Sequence, residues 1–200
     1  MSLTLTPILD LLLSLTCVYY GLRLLREEQD MLAVGYLMVS MAAFIGFFDL
    51  GGMVNFKWIH DFLSAVSRLI GTLAMGLGVI ALLAGQRRQR YAGYILALSG
   101  PVITYYFYVI FRGPIEGLYL WAGCIFLLSI LALAIKLWQR GHIKYSIASI
   151  AGLLLTAFVG LFSHALPQGL FLKPVDIFHI SLMVSYTAVY YGVMKYAEKK

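Results

Sequence analysis

The sequence predicts an all-α protein, an integral membrane bundle of seven transmembrane helices that forms one domain over residues 1–200, with its N-terminus outside and its C-terminus cytoplasmic. Three observations predict it. The chain is 62% hydrophobic and only 12% charged, with a mean hydropathy of +0.87, which is more apolar surface than a soluble core of this size hides. Its apolar residues fall in seven charge-poor runs, each close to the roughly 20 residues a helix needs to cross the hydrocarbon. Its basic residues divide unequally between the two ends of those runs.

The first run spans about 4–25. No basic segment precedes it and no small-residue cleavage site follows it, so it is expected to be a retained helix and not a signal peptide. In LSLTC, Thr16 stands where a lipoprotein cleavage box needs a smaller residue. REEQD ends this run, and the second, about 31–50, ends at Gly51-Gly52 and Asn55. The third, about 58–84, is closed by GQRRQR, and the fourth, about 91–111, by RGP. The fifth, about 115–138, stops at QRGH, and the sixth, about 144–166, at PQG. Lys173-Pro174 opens the seventh, about 174–196. Gly, Pro and charge clusters of this kind are the expected punctuation between spans. Cys17 and Cys124 lie in different runs, so no disulfide is expected. Asn55 precedes Phe56 and Lys57 and is no glycosylation sequon.

Taking the breaks alternately, one side holds Arg23, Arg26, Arg87, Arg88, Arg90, Lys136, Arg140, Lys144, Lys195, Lys199 and Lys200, the other only Lys57, Arg112 and Lys173. The positive-inside rule makes the richer side cytoplasmic; a bacterial inner (plasma) membrane is the expected location. Tyr91, Trp138 and Tyr196 at one boundary and Trp58 and Tyr119 at the other fit interfacial aromatic belts. The net charge of +6 comes from short clusters between apolar runs, which suit anionic lipid headgroups and not nucleic acid.

The remaining acids, Asp10, Asp49, Asp61, Glu116 and Asp176, and three histidines, His60, His164 and His179, all fall in the outer half. Ionisable groups inside a membrane normally face a bundle interior or a water-filled cavity, so the asymmetry predicts a polar vestibule. Thr6, Asp10, Ser14, Cys17 and Gly21 form one stripe of the first helix, and His60, Ser64, Arg68 and Thr72 one face of the third. Arg68 is the deepest charge, roughly 15 Å from the helix start, and Asp10 is the acid expected to pair with it. Asp176, His179, Met183, Tyr186 and Tyr190 line up on the seventh helix. An acid and a histidine three residues apart can share a metal ion or a proton, while Asp61 and Asp176 equally suit helix N-termini. His142 reads as an interface residue and His164 as a turn residue. Ile59-His60-Asp61-Phe62 and Asp176-Ile177-Phe178-His179 open helices three and seven alike, which is compatible with two parallel three-helix units joined by the fourth helix.

No phosphate loop, CxxC, GxSxG or HExxH is present, so no nucleotide is expected. The last run has no mid-membrane lysine for retinal, and the histidines sit where stacked haems have no use for them. The opening Thr6-Pro7-Ile8-Leu9-Asp10-Leu11-Leu12-Leu13, the Gly-rich end of the second helix, and Asp176-Ile177-Phe178-His179 followed by Tyr190-Tyr191-Gly192 make the chain resemble the seven-helix superfamily of alkaline ceramidases and progestin and adiponectin receptors (CREST-like), as a divergent bacterial-type member. That resemblance implies a zinc-dependent lipid amidase. Asp61 and His179 match the motif, whereas Asp49 replaces a histidine and the spaced histidine pair of the last helix is missing. Zinc is then possible on His60, Asp176 and His179, with Asp49 or Asp61 as catalytic base and Ser64, Tyr186 and Tyr190 lining the pocket.

Three functions follow as expectations: a metal-dependent hydrolase of a membrane lipid amide or ester, a transporter or binding protein for an amphiphile or small solute, and a structural subunit with a protein partner of unknown kind. Pro167-Gln168 gives a single PQ pair in support of the transporter.

Overall fold

The computed structural model describes residues 5–86, 90–111, 115–162 and 173–198. Arg87, Arg88, Arg112, His164, Pro167, Gln168, Lys199 and Lys200 lie outside them. The described residues fold into seven helical rods: α1 (Leu5–Arg26), α2 (Asp30–Leu50), α3 (Lys57–Leu83), α4 (Arg90–Tyr105, continued by Tyr106–Phe111), α5 (Ile115–Gln139), α6 (Ile143–Phe162) and α7 (Pro174–Ala197). All but α6 are long and apolar enough to cross a membrane, and α6 carries a shorter apolar stretch, Ile143–Phe158. The protein is a multi-pass membrane protein. Every described helix start lies within one residue of the position the sequence predicts.

The turns explain why the runs stop where they do. α3 and α5 both end on a glycine in the left-handed region, Gly85 at φ 79° and Gly141 at φ 78°. The next N–H reaches back to the last turn, Gln86 to Ala81 at 2.9 Å and His142 to Leu137 at 2.8 Å, so the final carbonyls are satisfied without a further helical residue. Pro174 opens α7, where its missing N–H costs nothing.

Neighbouring helices form a closed ring, α1 to α2 to α3 to α5 to α6 to α7 and back to α1, with α4 packed outside against α2 and α3. α3 meets α5 as α7 meets α1, as two parallel three-helix units linked by a peripheral helix would have it, whereas α5 also packs against α7 with no α1–α3 packing of like extent. Inside the ring, Leu24, Leu32, Tyr36, Met75, Val79, Ile130, Leu133 and Val189 are fully buried. Outside it, Leu98 and Trp121 are 78% and 70% exposed, as lipid-facing side chains are, since lipid tails solvate apolar groups as well as a core does.

Without a hydrophobic force between helices, close approach and polar bonds hold a bundle together. Ser14 and Ser40 join α1 to α2 at 3.0 Å, Tyr36 Oη donates to the Tyr186 carbonyl at 2.7 Å, Ser185 Oγ to the Gly152 carbonyl at 2.6 Å, and Ser146 Oγ to the Ala134 carbonyl at 2.8 Å. α2 and α3 come closest where Gly35 faces Gly71: a side chain on Gly35 would overlap Met75 and stand 2.7 Å from the Gly71 carbonyl oxygen. Gly35→Leu is therefore expected to destabilise the bundle by about 1–3 kcal/mol. Gly123→Ala, with open space around it, is expected to change stability by less than about 0.5 kcal/mol. Thermal unfolding of both variants in detergent micelles checks this.

Candidate functional site

A cleft of about 740 Å³ opens at one end of the bundle and reaches toward its middle. It lies where α1, α3, α5 and α7 begin and α2, α4 and α6 end, so the residues the sequence places in the outer half are brought together. Asp10, His60, Asp61, Ser64, Arg68, Glu116, His179 and Tyr186 line it, with Thr72, Tyr108, Tyr119, Thr156 and Phe178. The stripe His60, Ser64, Arg68, Thr72 faces the cleft over its whole length, and Thr6, Asp10, Ser14, Cys17 and Gly21 all face protein.

Two acid–histidine pairs stand toward the end at which the cleft opens, and three of their four residues, Asp10, His60 and His179, line it. Asp10 is 2% exposed, and its Oδ1 lies 3.3 Å from His179 Nε2. Asp49 Oδ2 lies 3.6 Å from His60 Nδ1, while its Oδ1 accepts the Phe56 N–H at 3.0 Å and so ties the α2–α3 turn. The pairs meet at Gly46: a methyl there would stand 2.9 Å from Asp10 Oδ2 and 3.0 Å from His60 Nε2. Gly46 is thus a site residue that sequence reasoning missed. Its one signal was position, three residues before Asp49 and on the same face of the bulky run FIGFFD.

The structure distributes the other predicted residues differently from the sequence reading. Asp10 and Arg68 line one cleft but form no ion pair among the described residues; the carboxylate turns instead to His179, which α7 brings against α1. Asp176 is buried and already engaged, accepting the Thr6 hydroxyl at 2.6 Å and the Lys173 N–H at 3.0 Å. It caps α7 and pins α1 to it, with both oxygens engaged in hydrogen bonds. Asp61 lies at the exposed rim, 3.4 Å from Lys57 Nζ. Tyr190 stacks on Tyr20, ring centroids 4.1 Å apart, in the core behind the cleft. His60, Asp176 and His179 consequently do not assemble as a zinc site, and no three His, Cys, Asp or Glu among the described residues stand close enough to share a metal ion.

Two polar atoms of these cleft-lining residues have no hydrogen-bond partner among the described residues, Asp10 Oδ2 and His179 Nδ1. Each is buried, where an unsatisfied group costs about 1–3 kcal/mol.

The chain belongs to a family of unknown function (DUF6962), which it matches over residues 5–198. No curated protein and no solved structure matches it. The family match makes no connection to the ceramidase and progestin–adiponectin receptor superfamily.

If Asp10 serves His179 and not Arg68, a double-mutant cycle of Asp10→Asn with His179→Gln gives a coupling of about 0.5–3 kcal/mol, whereas Asp10→Asn with Arg68→Gln adds within about 0.5 kcal/mol. Thermal or denaturant unfolding of the three single and two double variants decides between them, and additivity in the first cycle would dissolve the pair.

Proposed function

We propose that this protein binds a small amphiphile from the membrane, with the polar head among the cleft's polar side chains and the chain lying against its apolar walls. The observation that carries this reading is the buried Asp10 Oδ2, without a hydrogen-bond partner among the described residues, on a cleft of about 740 Å³. Ligand sites are clefts of roughly 300–1,000 Å³, mostly apolar with a few convergent polar groups. Leu13, Val39, Phe126, Leu127, Leu182 and Phe178 supply the apolar part; Asp10, His60, Ser64 and His179 supply the polar part.

A second reading rests on His60. Its Nδ1 lies 3.6 Å from Asp49 Oδ2, just beyond hydrogen-bond distance, while its Nε2 faces Gly46; closing that gap would give the arrangement in which a carboxylate orients a histidine as general base. Hydrolysis of an ester or amide of the bound amphiphile would use that nitrogen to take a proton from water. Zinc enters neither reading, because no three His, Cys, Asp or Glu among the described residues are grouped to hold it. The orientation proposed with both is cleft outward, C-terminus cytoplasmic, and a reporter fused after Lys200 is expected to be active only in the cytoplasm; an external signal would turn the cleft inward.

In nanodiscs, a single-chain amphiphile with a polar head is expected to stabilise the protein saturably, by about 2.7 kcal/mol at a hundredfold excess over Kd. Ser64→Trp, which fills the cleft, should abolish the effect. Absence of saturable stabilisation by any amphiphile tested defeats the binding reading. Release of fatty acid from an ester amphiphile, lost in His60→Gln but with binding retained, would establish the hydrolytic one.

A further inference from the structure

We infer that Arg68 is the anion-recognition residue of this cleft, and that the amphiphile carries a phosphate or carboxylate in its head together with a hydrogen-bond donor for Asp10. The inference rests on the amphiphile-binding reading and names the chemistry of its ligand. Arg68 stands eleven residues beyond Lys57 in a 27-residue span, about 16 Å along the helix at 1.5 Å per residue. A guanidinium at that depth is costly unless a carboxylate, water or a ligand anion meets it.

No carboxylate meets it. Among the described residues Arg68 forms no ion pair, although Asp10, Asp61 and Glu116 line the same cleft. Asp10 faces His179 and Asp61 faces Lys57. Arg68, free of any ion pair among the described residues, and Asp10 Oδ2, buried and without a hydrogen-bond partner among them, border the same cavity, and a head group that met both would carry one anionic and one donor part. Arginine suits such an anion because its planar fork of N–H donors matches a phosphate or carboxylate in bidentate geometry.

The backbone is shaped for this placement. Ser67–Gly71 forms a π-helical turn within α3, a local widening of the helix that recurs at functional sites. Both Ser67 and Arg68 face the cleft, so a hydroxyl and a guanidinium are presented side by side.

The test uses full-length protein in nanodiscs of uncharged lipid, with saturable thermal stabilisation as the readout and dodecyl phosphate, dodecanol and inorganic phosphate as probes. Dodecyl phosphate is expected to bind more tightly than dodecanol. Arg68→Gln should weaken dodecyl phosphate by about tenfold or more and leave dodecanol unchanged, and Arg68→Lys should fall between. If inorganic phosphate binds as tightly as dodecyl phosphate and Arg68→Gln abolishes both, the anion site stands with a soluble anion as its ligand, and the amphiphile reading fails. If dodecyl phosphate and dodecanol bind alike and Arg68→Gln alters neither, the anion inference fails while the amphiphile reading survives. Binding of none of the three overturns both. Should Arg68→Gln not fold, Arg68→Lys carries the comparison, and dodecyl phosphate binding unchanged in that variant overturns the inference.

Discussion

Polar groups within the bilayer have no water to turn to, and every feature of this bundle's cleft end depends on how they are satisfied. A charged side chain at the centre of a spanning helix costs about 2.5–3.5 kcal/mol even on the mildest scale. Asp176 escapes that cost through the Thr6 hydroxyl and its own cap, Asp49 through the Phe56 amide and His60, and Asp10 partly through His179. These contacts fix α1 against α7 and α2 against α3, so the polar residues that need shelter also set the positions of the helices that shelter them.

That arrangement is available only because small residues let backbones come close. Gly46 leaves room for an α1 carboxylate and an α3 imidazole at one point on α2, and Gly35 lets α2 settle against Gly71 at the π-helical turn. The two close approaches lie on the same helix, α2, which touches α1, α3 and α4. α2 therefore stands between α1 and α3 along the cleft, while α5 and α7 complete its walls.

Most of the architecture was legible in the sequence because span length and charge distribution are one-dimensional properties. The helix boundaries, the protein-facing stripe from Thr6 to Gly21, and the cleft-facing series His60, Ser64, Arg68 and Thr72 all follow from periodicity. Partnership was not legible. Asp10 was matched to Arg68 by depth, but depth does not encode rotation, and α7 rather than α3 supplies the nearer base. The set of His60, Asp176 and His179 rests on residue type and a shared end of the bundle, which leave hydrogen-bond commitments unread: Asp176 turns to Thr6 and the α7 cap. Gly46 carried no chemical signal, since a glycine that matters by absence looks like any other in an apolar run.

The satisfied and unsatisfied groups separate what the fold needs from what it tolerates. A bundle selected only for stability would keep Asp176 and Asp49, whose oxygens each close a bond that orders a helix end. It would have no reason to keep Asp10 Oδ2 and His179 Nδ1 without a hydrogen-bond partner among the described residues on a cleft also lined by Arg68, which pairs with no acid among them, because apolar replacements for buried ionic groups are often neutral or stabilising. All three groups border one cavity. Their common location makes a bound polar head the simplest compensation for all of them at once, since one ligand with a donor and an anion would satisfy groups that the helices, held at the spacing Gly46 permits, cannot satisfy among themselves.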